Sequence, residues 1–527
     1  MIEVPVCIIG CGPIGLTGAL LLSRHGVPSM LVERRSELNT HPRSRFVDTN
    51  TMELFRELGI DATVEATGLD ADWTAFNRWS DNLAVEPYAE IPSPTFFRAL
   101  GPHSPCLPAM TVQDQVERAL MSRIIDDPNI TVMFDTEAMD LTQTDDATRL
   151  TLRNTRTDER QSLEAQYTIG ADGPGSSTRA VIGARLEVEP EPVYMQDVLF
   201  DADLRAYVGE RKGSLLYTQP PEGVVIFQPL DGVRRWRCQA SIGGPELLAV
   251  DAMRDRIRAS LGTTHDVPLD ITSMSLWQPT PGCVTRFRDR RIFLAGDAAH
   301  VAVPTGGLGN NSGFAGIRNL AWKLAYVIRG LADEAILDTY ETEHRPVATE
   351  RIAFGVQTTI SMRQMMIGHR LGHDIADDVL ATHQYADYDH VVRGFEMTSS
   401  LIAPNHEPAP EFDDPTGFVP LVRAGCRAPH VWVDDEHTES ILDWFGAGYV
   451  LVLGSACDVE AWAAALTPLA AQKPLALGAL AAERASDPYT PADVVLVRPD
   501  GVIANRFTDS QGPHVDAVGA YLPWATG

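Results

Sequence analysis

The chain is short of positive charge. Against 71 Asp and Glu it carries 43 Lys and Arg, a formal net charge of −28. Such a surface repels a phosphate backbone, which argues against nucleic acid as a partner, and the acidity reads as a solvated exterior. Cysteine is sparse and scattered. The seven residues Cys7, Cys11, Cys106, Cys238, Cys283, Cys426 and Cys457 form no CxxC pair and no zinc-type cluster. No metal site or disulfide framework is therefore expected, and a reduced, cytoplasmic setting fits best. No run reaches the roughly eighteen apolar residues of a membrane span. The apolar N-terminus has no basic leader, and no internal repeat is visible.

What remains is a chain of 527 residues, 44% hydrophobic and 22% charged. That is normal globular composition and more chain than one core organises, so about two or three domains are expected. The opening stretch VCIIGCGPIGLTGALLLSRHGVPSMLVERR reads as strand 4–9, turn 10–12, helix 13–25 and strand 28–33. Gly10, Gly12 and Gly15 spell G-x-G-x-x-G between strand and helix. The first glycine permits the turn, the second lets a pyrophosphate approach the backbone, and the third lets helix and strand pack closely. The helix N-terminus presents free N–H groups to the phosphates. Glu33 closes the second strand where a carboxylate accepts from an adenosine ribose, which favours FAD or NAD over NADP. Arg34 and Arg35 beside it read either as a further phosphate contact or as surface charge.

Two later segments separate FAD from NAD. ADGPGSSTR (171–179) and GDAAHVAVPTGGLGNNSG (296–313) each follow an apolar strand with an acid-bearing turn. Asp297 suits a ribitol hydroxyl, and the glycines at 306, 307 and 309 offer bare N–H groups to a polar ring edge. A long FAD held at both ends needs this second cradle; an NAD dehydrogenase does not. Elsewhere, 51–60 and 111–125 read as helices, 70–105 as an inserted sheet or loop, and 185–285 as alternating strands. The chain reads as helical from 313 to about 400, and a Pro- and Asp-rich linker spans 403–417.

With these motifs the chain resembles the class A FAD-dependent aromatic hydroxylases, the single-component monooxygenases related to p-hydroxybenzoate and phenol hydroxylases. It is most similar to the polyketide hydroxylase subgroup with a C-terminal thioredoxin-like domain. GCGPIG (Gly10, Gly12, Pro13, Ile14, Gly15) with Glu33 and Arg34 matches that family's ADP-binding motif. ADGPGSSTR matches its DG motif through Asp172, Gly173 and Arg179, and GDAAH its GD motif through Gly296 and Asp297. PTGGLGNNSG matches the flavin-ring loop through Pro304, Gly307, Leu308, Gly309, Asn310 and Asn311. HPRSR puts Arg43, and QDQVE puts Gln113, where the family contacts FAD. Departures are Gly316–Ile317 for an Asp–Ala pair, Phe46–Val47 for Gly and a polar residue, and Asn50 for Arg.

The resemblance implies an α/β fold: a Rossmann-like FAD-binding domain of the p-hydroxybenzoate hydroxylase type (1–70, 101–184, 286–402), a β-sheet substrate domain (71–100, 185–285) and, after the linker 403–417, a thioredoxin-like domain (418–527). It implies non-covalent FAD, NADPH or NADH as co-substrate, and O2. A flavin C4a-hydroperoxide would then hydroxylate an electron-rich aromatic carbon. Baeyer–Villiger or decarboxylative oxygenation on a similar substrate is the alternative within the fold. A non-catalytic flavoprotein that sequesters an intermediate is kept open by Phe46 and Gly316. No base is assigned; His300 and Pro304 are the candidates beside the flavin, and His369, Arg370 and His373 read as substrate contacts or as a solvated helix face. Among Trp73, Phe76, Trp79, Phe96, Phe97, Tyr217, Phe227 and Trp236, the pair Phe227 and Trp236 is expected, with Phe46, to wall a pocket for a bulky polycyclic phenol. Cys457 stands alone, so the C-terminal part reads as structural, in a monomer or homodimer.

Overall fold

The computed structural model describes residues 1–41, 43–93, 103–188, 193–263, 265–373, 388–408, 418–471, 473–481, 488–509 and 512–524. Phe96, Phe97 and the 409–417 part of the expected linker lie outside the described residues.

The strand Ile2–Ile9 lies between Ser29–Val32 and Arg160–Gly170, parallel to both. Ile130–Met133 extends the sheet beyond Ser29–Val32, and Ile292–Leu294 adds on the far side of Arg160–Gly170. These strands are covered on both faces, so VCII and SMLV read as continuous apolar runs and every residue in them is buried or nearly so. Helix Pro13–Arg24 packs on Leu308–Ile328 and on Gln113–Ile124. Gly18 allows the first contact: a Cβ there would stand 2.9 Å from Ile317. Thr136–Gln143, Thr148–Asn154 and Arg160–Gly170 form an antiparallel meander that carries the chain back to the sheet centre.

A second sheet of seven strands runs Asp270–Trp277, Tyr194–Asp201, Arg235–Ile242, Val225–Pro229, Leu215–Thr218, Phe76–Ser80, Ala89–Pro92. Residues from before and after the meander thus build one sheet. Alternation sorts its faces. Val225, Phe227, Trp236, Cys238 and Ala240 pack on Met253, Ile257 and Leu261 of helix Val250–Leu261. Ile226, Gln228, Arg237, Gln239 and Ser241 face the opposite way. A three-stranded seam of Leu186–Val188, Gly282–Val284 and His300–Val301 fastens this sheet to the nucleotide side.

The long helical region is interrupted. Leu308–Ile328 ends at Gly330 (φ +65°), Asp333 caps the short turn Glu334–Asp338, and Thr339–Arg370 follows. Past the described segment Tyr388–Arg393, residues Met397 and Ile402 already pack on Ala424 and Val502, so the chain engages the C-terminal unit before the expected linker begins. That unit has a sheet ordered Leu475–Ala479, Tyr449–Leu453, Asp493–Val497, Ile503–Thr508. The first pair is parallel, joined by helix Val459–Ala470, and the others are antiparallel.

A buried charge cluster locks the C-terminal unit to the rest. Glu343 accepts from Lys323 Nζ (2.7 Å) and from Arg498 Nη1 and Nη2 (2.8 and 2.9 Å), while Asp500 accepts from Arg498 Nε (3.0 Å) and Trp322 Nε1 (3.1 Å). The side chains of Lys323, Glu343 and Arg498 are 0% exposed. Burial alone would raise the Glu343 carboxyl; Arg498 and Lys323 hold it well below the usual range. No described helix is long and apolar enough to cross a membrane.

Candidate active site

At the glycine turn the three glycines have three different surroundings. Gly10 has φ +109°, and a Cβ there would sit 2.4 Å from Ala171 O. A Cβ on Gly15 would sit 2.0 Å from Gly10 O, whereas one on Gly12 would meet nothing within 4 Å. The first and third glycines are demanded by packing. The second faces open space at the start of helix Pro13–Arg24, whose N-cap has no side-chain partner. Glu33, 8% exposed, accepts from Cys11 N (3.1 Å) and Arg35 N (3.0 Å), which fixes its carboxylate at the mouth of the turn. A pyrophosphate fits the bare N–H groups here and a ribose fits the acid beside them.

The two later turns converge on the same space. Asp172 accepts from Ser176 Oγ (2.5 Å), Thr178 N (3.0 Å) and Thr178 Oγ1 (3.1 Å), closing the DG turn. Arg179 donates to Ala298 O (3.4 Å) and to Pro174 O, tying that turn to the GD turn. Asp297 opens into the enclosed space; enclosure raises its carboxyl to about 6, opposed by Arg43 and Arg179. Gly306 and Gly307 (φ +83° and +65°) turn the loop into helix Leu308–Ile328, and Phe46 packs 2.8 Å from where a Gly307 Cβ would lie.

One cavity of about 1070 Å3 joins these elements. Its first half is lined by Gly10, Gly12, Pro13, Ile14, Glu33, Arg34, Arg43, Gln113, Asp172, Gly173, Gly296, Asp297, Pro304, Gly307, Gly309 and Asn310. Its second half is the free face of the seven-stranded sheet, opposed by Thr359, Met362, Met366 and Arg370 of helix Thr339–Arg370. A wider surface groove of about 1430 Å3 lies elsewhere, among Arg288, Arg291 and Glu334; these charges pair with one another and no motif residue reaches it.

Several expectations are corrected. Phe227 and Trp236 are not on the cavity: they are 0% and 2% exposed in the core behind the sheet, because alternation turns their neighbours Ile226, Gln228 and Arg237 inward instead. Leu308 buries its side chain beside Phe46 and Met362. Asn311 is a brace, with its oxygen accepting from Asp48 N and Thr51 Oγ1 and its nitrogen donating to Phe46 O and Gly307 O. Gly15, off the cavity wall, keeps the role expected of the third glycine, close packing of helix and strand. His300 is off the cavity wall, its Nε2 3.4 Å from that of His344, and burial lowers it to about 4, so it is a neutral structural imidazole. Phe46 and Pro304 do line the cavity, as does Arg370. His369 stacks on Tyr88 at 3.6 Å and meets Asp81, and His373 is exposed.

The departures at 46 and 316 are explained by packing. A Cβ on Gly316 would lie 2.4 Å from His344 Nε2, so glycine there makes room for the imidazole. Asn50 donates to Val392 O (2.7 Å).

Three cavity residues escaped sequence reading. Glu117, 1% exposed, accepts from Gln113 Nε2 (2.7 Å) through one oxygen and has no partner for the other; burial raises it to about 7. Its place four residues after Gln113 on one helix face was the available signal. Gln239 accepts from Gln228 Nε2 (3.1 Å) and leaves its own buried Nε2 without a partner. The alternation in WRCQAS assigns it to the face opposite Trp236. Arg45, 8% exposed, donates to Pro229 O (2.9 Å) and Ser214 O. Burial and the neighbouring Arg237 lower its guanidinium to about 9. It lies within the quoted HPRSR motif.

Residues 3–354 match the family model described as FAD binding domain, and 422–524 match that of the aromatic-ring hydroxylase C-terminal region. The chain is 29% identical to a 4-methyl-5-nitrocatechol 5-monooxygenase from Burkholderia sp, over 96% of this chain and 95% of that protein. It is 30% identical to a tetracenomycin B2 monooxygenase-dioxygenase from Streptomyces olivaceus, over 98% and 97%. Among solved structures, the flavin-dependent monooxygenase PieE in complex with FAD and substrate superposes with a TM-score of 0.89 at 27% identity, covering 99% of this chain and 98% of that one.

Proposed function

The chain belongs to the FAD-dependent aromatic-ring hydroxylases, and on that premise we propose that it uses NAD(P)H and O2 to hydroxylate a bulky, polyketide-type phenol. The observation that carries this reading is the single cavity that runs from the glycine turn to the free face of the second sheet. A ring seated on that face reaches the loop at Pro304–Gly309 without leaving protein.

In this reading Gly12 and the helix start hold the pyrophosphate, Glu33 the adenosine ribose, Asp297 the ribityl chain, and Gly307 and Gly309 the ring edge. Bound flavin, once reduced, supplies the activation of O2 that the side chains cannot. The chain's own part is to bind, orient and exclude water. Asn311 fixes Gly307 and Phe46 in one brace, so loop and ring neighbour stay in register. Met362, Met366 and Phe46 give the ring an apolar bed that sheds water. Packing accounts for Phe46 and Gly316, so neither departure supports a non-catalytic protein.

The proposed parts are 1–70, 101–184 and 286–402 for FAD, 71–100 and 185–285 for substrate, and 418–527 as a thioredoxin-like unit after 403–417. The parallel pair joined by a helix and followed by an antiparallel hairpin supports that last assignment. With no CxxC there, Cys426 and Cys457 being separate free thiols, its role is structural, through Arg498 and Asp500.

The test is a panel of polycyclic phenols and nitrocatechols scored by stimulated NADH and NADPH oxidation, with mass spectrometry under 18O2. One incorporated oxygen atom per turnover is expected. FAD-loaded protein that oxidises neither nucleotide faster with any phenol refutes the reading.

A further inference from the structure

The sheet half of the cavity is lined by donors and cations. Among the described residues on that wall there is no Asp, Glu or His. Arg237 is neutralised by Asp197, at 2.7 Å from Nε to Oδ1. Arg45 is not: it donates to the carbonyls of Pro229 and Ser214, and it has no carboxylate partner among the described residues. An enclosed guanidinium without a counter-charge is costly unless a ligand supplies one. Gln239 Nε2 and Trp277 Nε1, both buried on the same wall, are donors without acceptors. The wall is therefore built for an oxygen-bearing anion.

Resting on the reading of this wall as the ring-binding end, we propose that Arg45 receives an ionised hydroxyl of the aromatic substrate and holds it as the phenolate. The ring becomes electron-rich at the carbon to be oxygenated without a protein base, since none stands among the described residues of the wall. The phenol O–H bond breaks, the electron pair stays on oxygen beside the guanidinium, and the proton passes to solvent. Other groups facing this point are Arg237 with Asp197, within electrostatic reach of His41; Tyr217, whose hydroxyl burial keeps neutral; and Arg363 and Arg370 from the opposing helix. Those two helical arginines are the rival source of positive charge.

Alizarin and 4-nitrocatechol report the matter directly, because their phenolates absorb in the visible. Each is titrated with pH while bound to the FAD-loaded protein. The bound hydroxyl is expected to ionise about 1–3 pH units below the free compound, about a 10- to 1000-fold preference for phenolate. Arg45→Met and Arg45→Gln, the latter keeping a donor for the carbonyls, should abolish the shift with flavin content and thermal midpoint retained. Arg45→Lys should keep part of it and Arg370→Met most of it. No downward shift in the wild-type protein, no binding of either phenol, or a shift lost in Arg370→Met but kept in both neutral Arg45 variants overturns the proposal. Turnover with no shift sinks this inference and leaves the hydroxylase reading standing; a shift without turnover does the reverse.

Discussion

Replacing Gly12 by alanine should separate folding from cofactor binding in a way that few substitutions do. The residue has φ −74° and ψ 177°, ordinary extended backbone for any amino acid. Its added Cβ meets no atom within 4 Å. Nothing in the flavin-free protein resists the methyl, and the loss of glycine's unfolded-state freedom stabilises by about 0.4–1 kcal/mol. The same methyl stands where a pyrophosphate must approach the N–H groups of the helix start. Losing one charge-assisted hydrogen bond costs about 1.5–3 kcal/mol, or about 10- to 150-fold in Kd. Gly15→Ala is the contrast. Its Cβ would lie 2.0 Å from Gly10 O, so strand and helix must part. Overpacking of that kind costs about 1–3 kcal/mol or more. The assay is thermal unfolding of deflavinated protein beside a fluorescence titration with FAD. Gly12→Ala should match or exceed wild-type stability yet bind FAD at least tenfold more weakly, while Gly15→Ala should lose stability first. A Gly12→Ala protein that binds FAD like wild type would refute the placement of the pyrophosphate.

Two further outcomes follow from buried charge. Burial raises the Glu117 carboxyl from its ordinary 4.5 to about 7 in the folded protein, so its stabilising contribution is complete below about 4.5 and is lost as pH rises through 7. That difference is worth about 3 kcal/mol; denaturant melts of flavin-free protein should fall in stability between pH 5 and 8, and Glu117→Gln should flatten that slope, an unchanged slope counting against it. Arg498→Met strips Glu343 and Asp500 of their shared partner and should cost about 3–5 kcal/mol by urea unfolding; a loss under 1 kcal/mol would mean that the cluster does not hold the C-terminal unit in place.

What the chain discloses before folding is what repeats locally. The glycine spacing, the apolar runs on both sides of it and the acid at Glu33 are all within one βαβ unit, so their meaning survives without tertiary information. Asp172, Asp297 and Gly307 were legible for a similar reason: each sits in a turn whose composition fixes its backbone. The wall of the second sheet was not legible by residue type. Phe227 and Trp236 are the large aromatics that a flat ligand suggests, yet size is also what a core wants, and the helix Val250–Leu261 claims that face. Alternation then delivers the smaller polar neighbours to the cavity. Deciding between the two faces needs to know which one the helix covers, and that contact joins strands and helix across tens of residues.

Arg45 shows the same limit in electrostatic form. As a letter in HPRSR it is one of two arginines in a five-residue motif, and a surface reading is the ordinary one. Its significance comes from what is missing around it among the described residues, namely a carboxylate on the wall formed by Leu215–Thr218, Val225–Pro229 and Arg235–Ile242. Asp197 is the nearest candidate by chain, and it is spent on Arg237 through contacts to both of its oxygens. An unspent positive charge in an enclosed wall is a property of the assembled sheet, not of any segment. It is also the kind of feature that ties specificity to chemistry, since the charge that selects an acidic ring is the one that prepares the ring to accept oxygen.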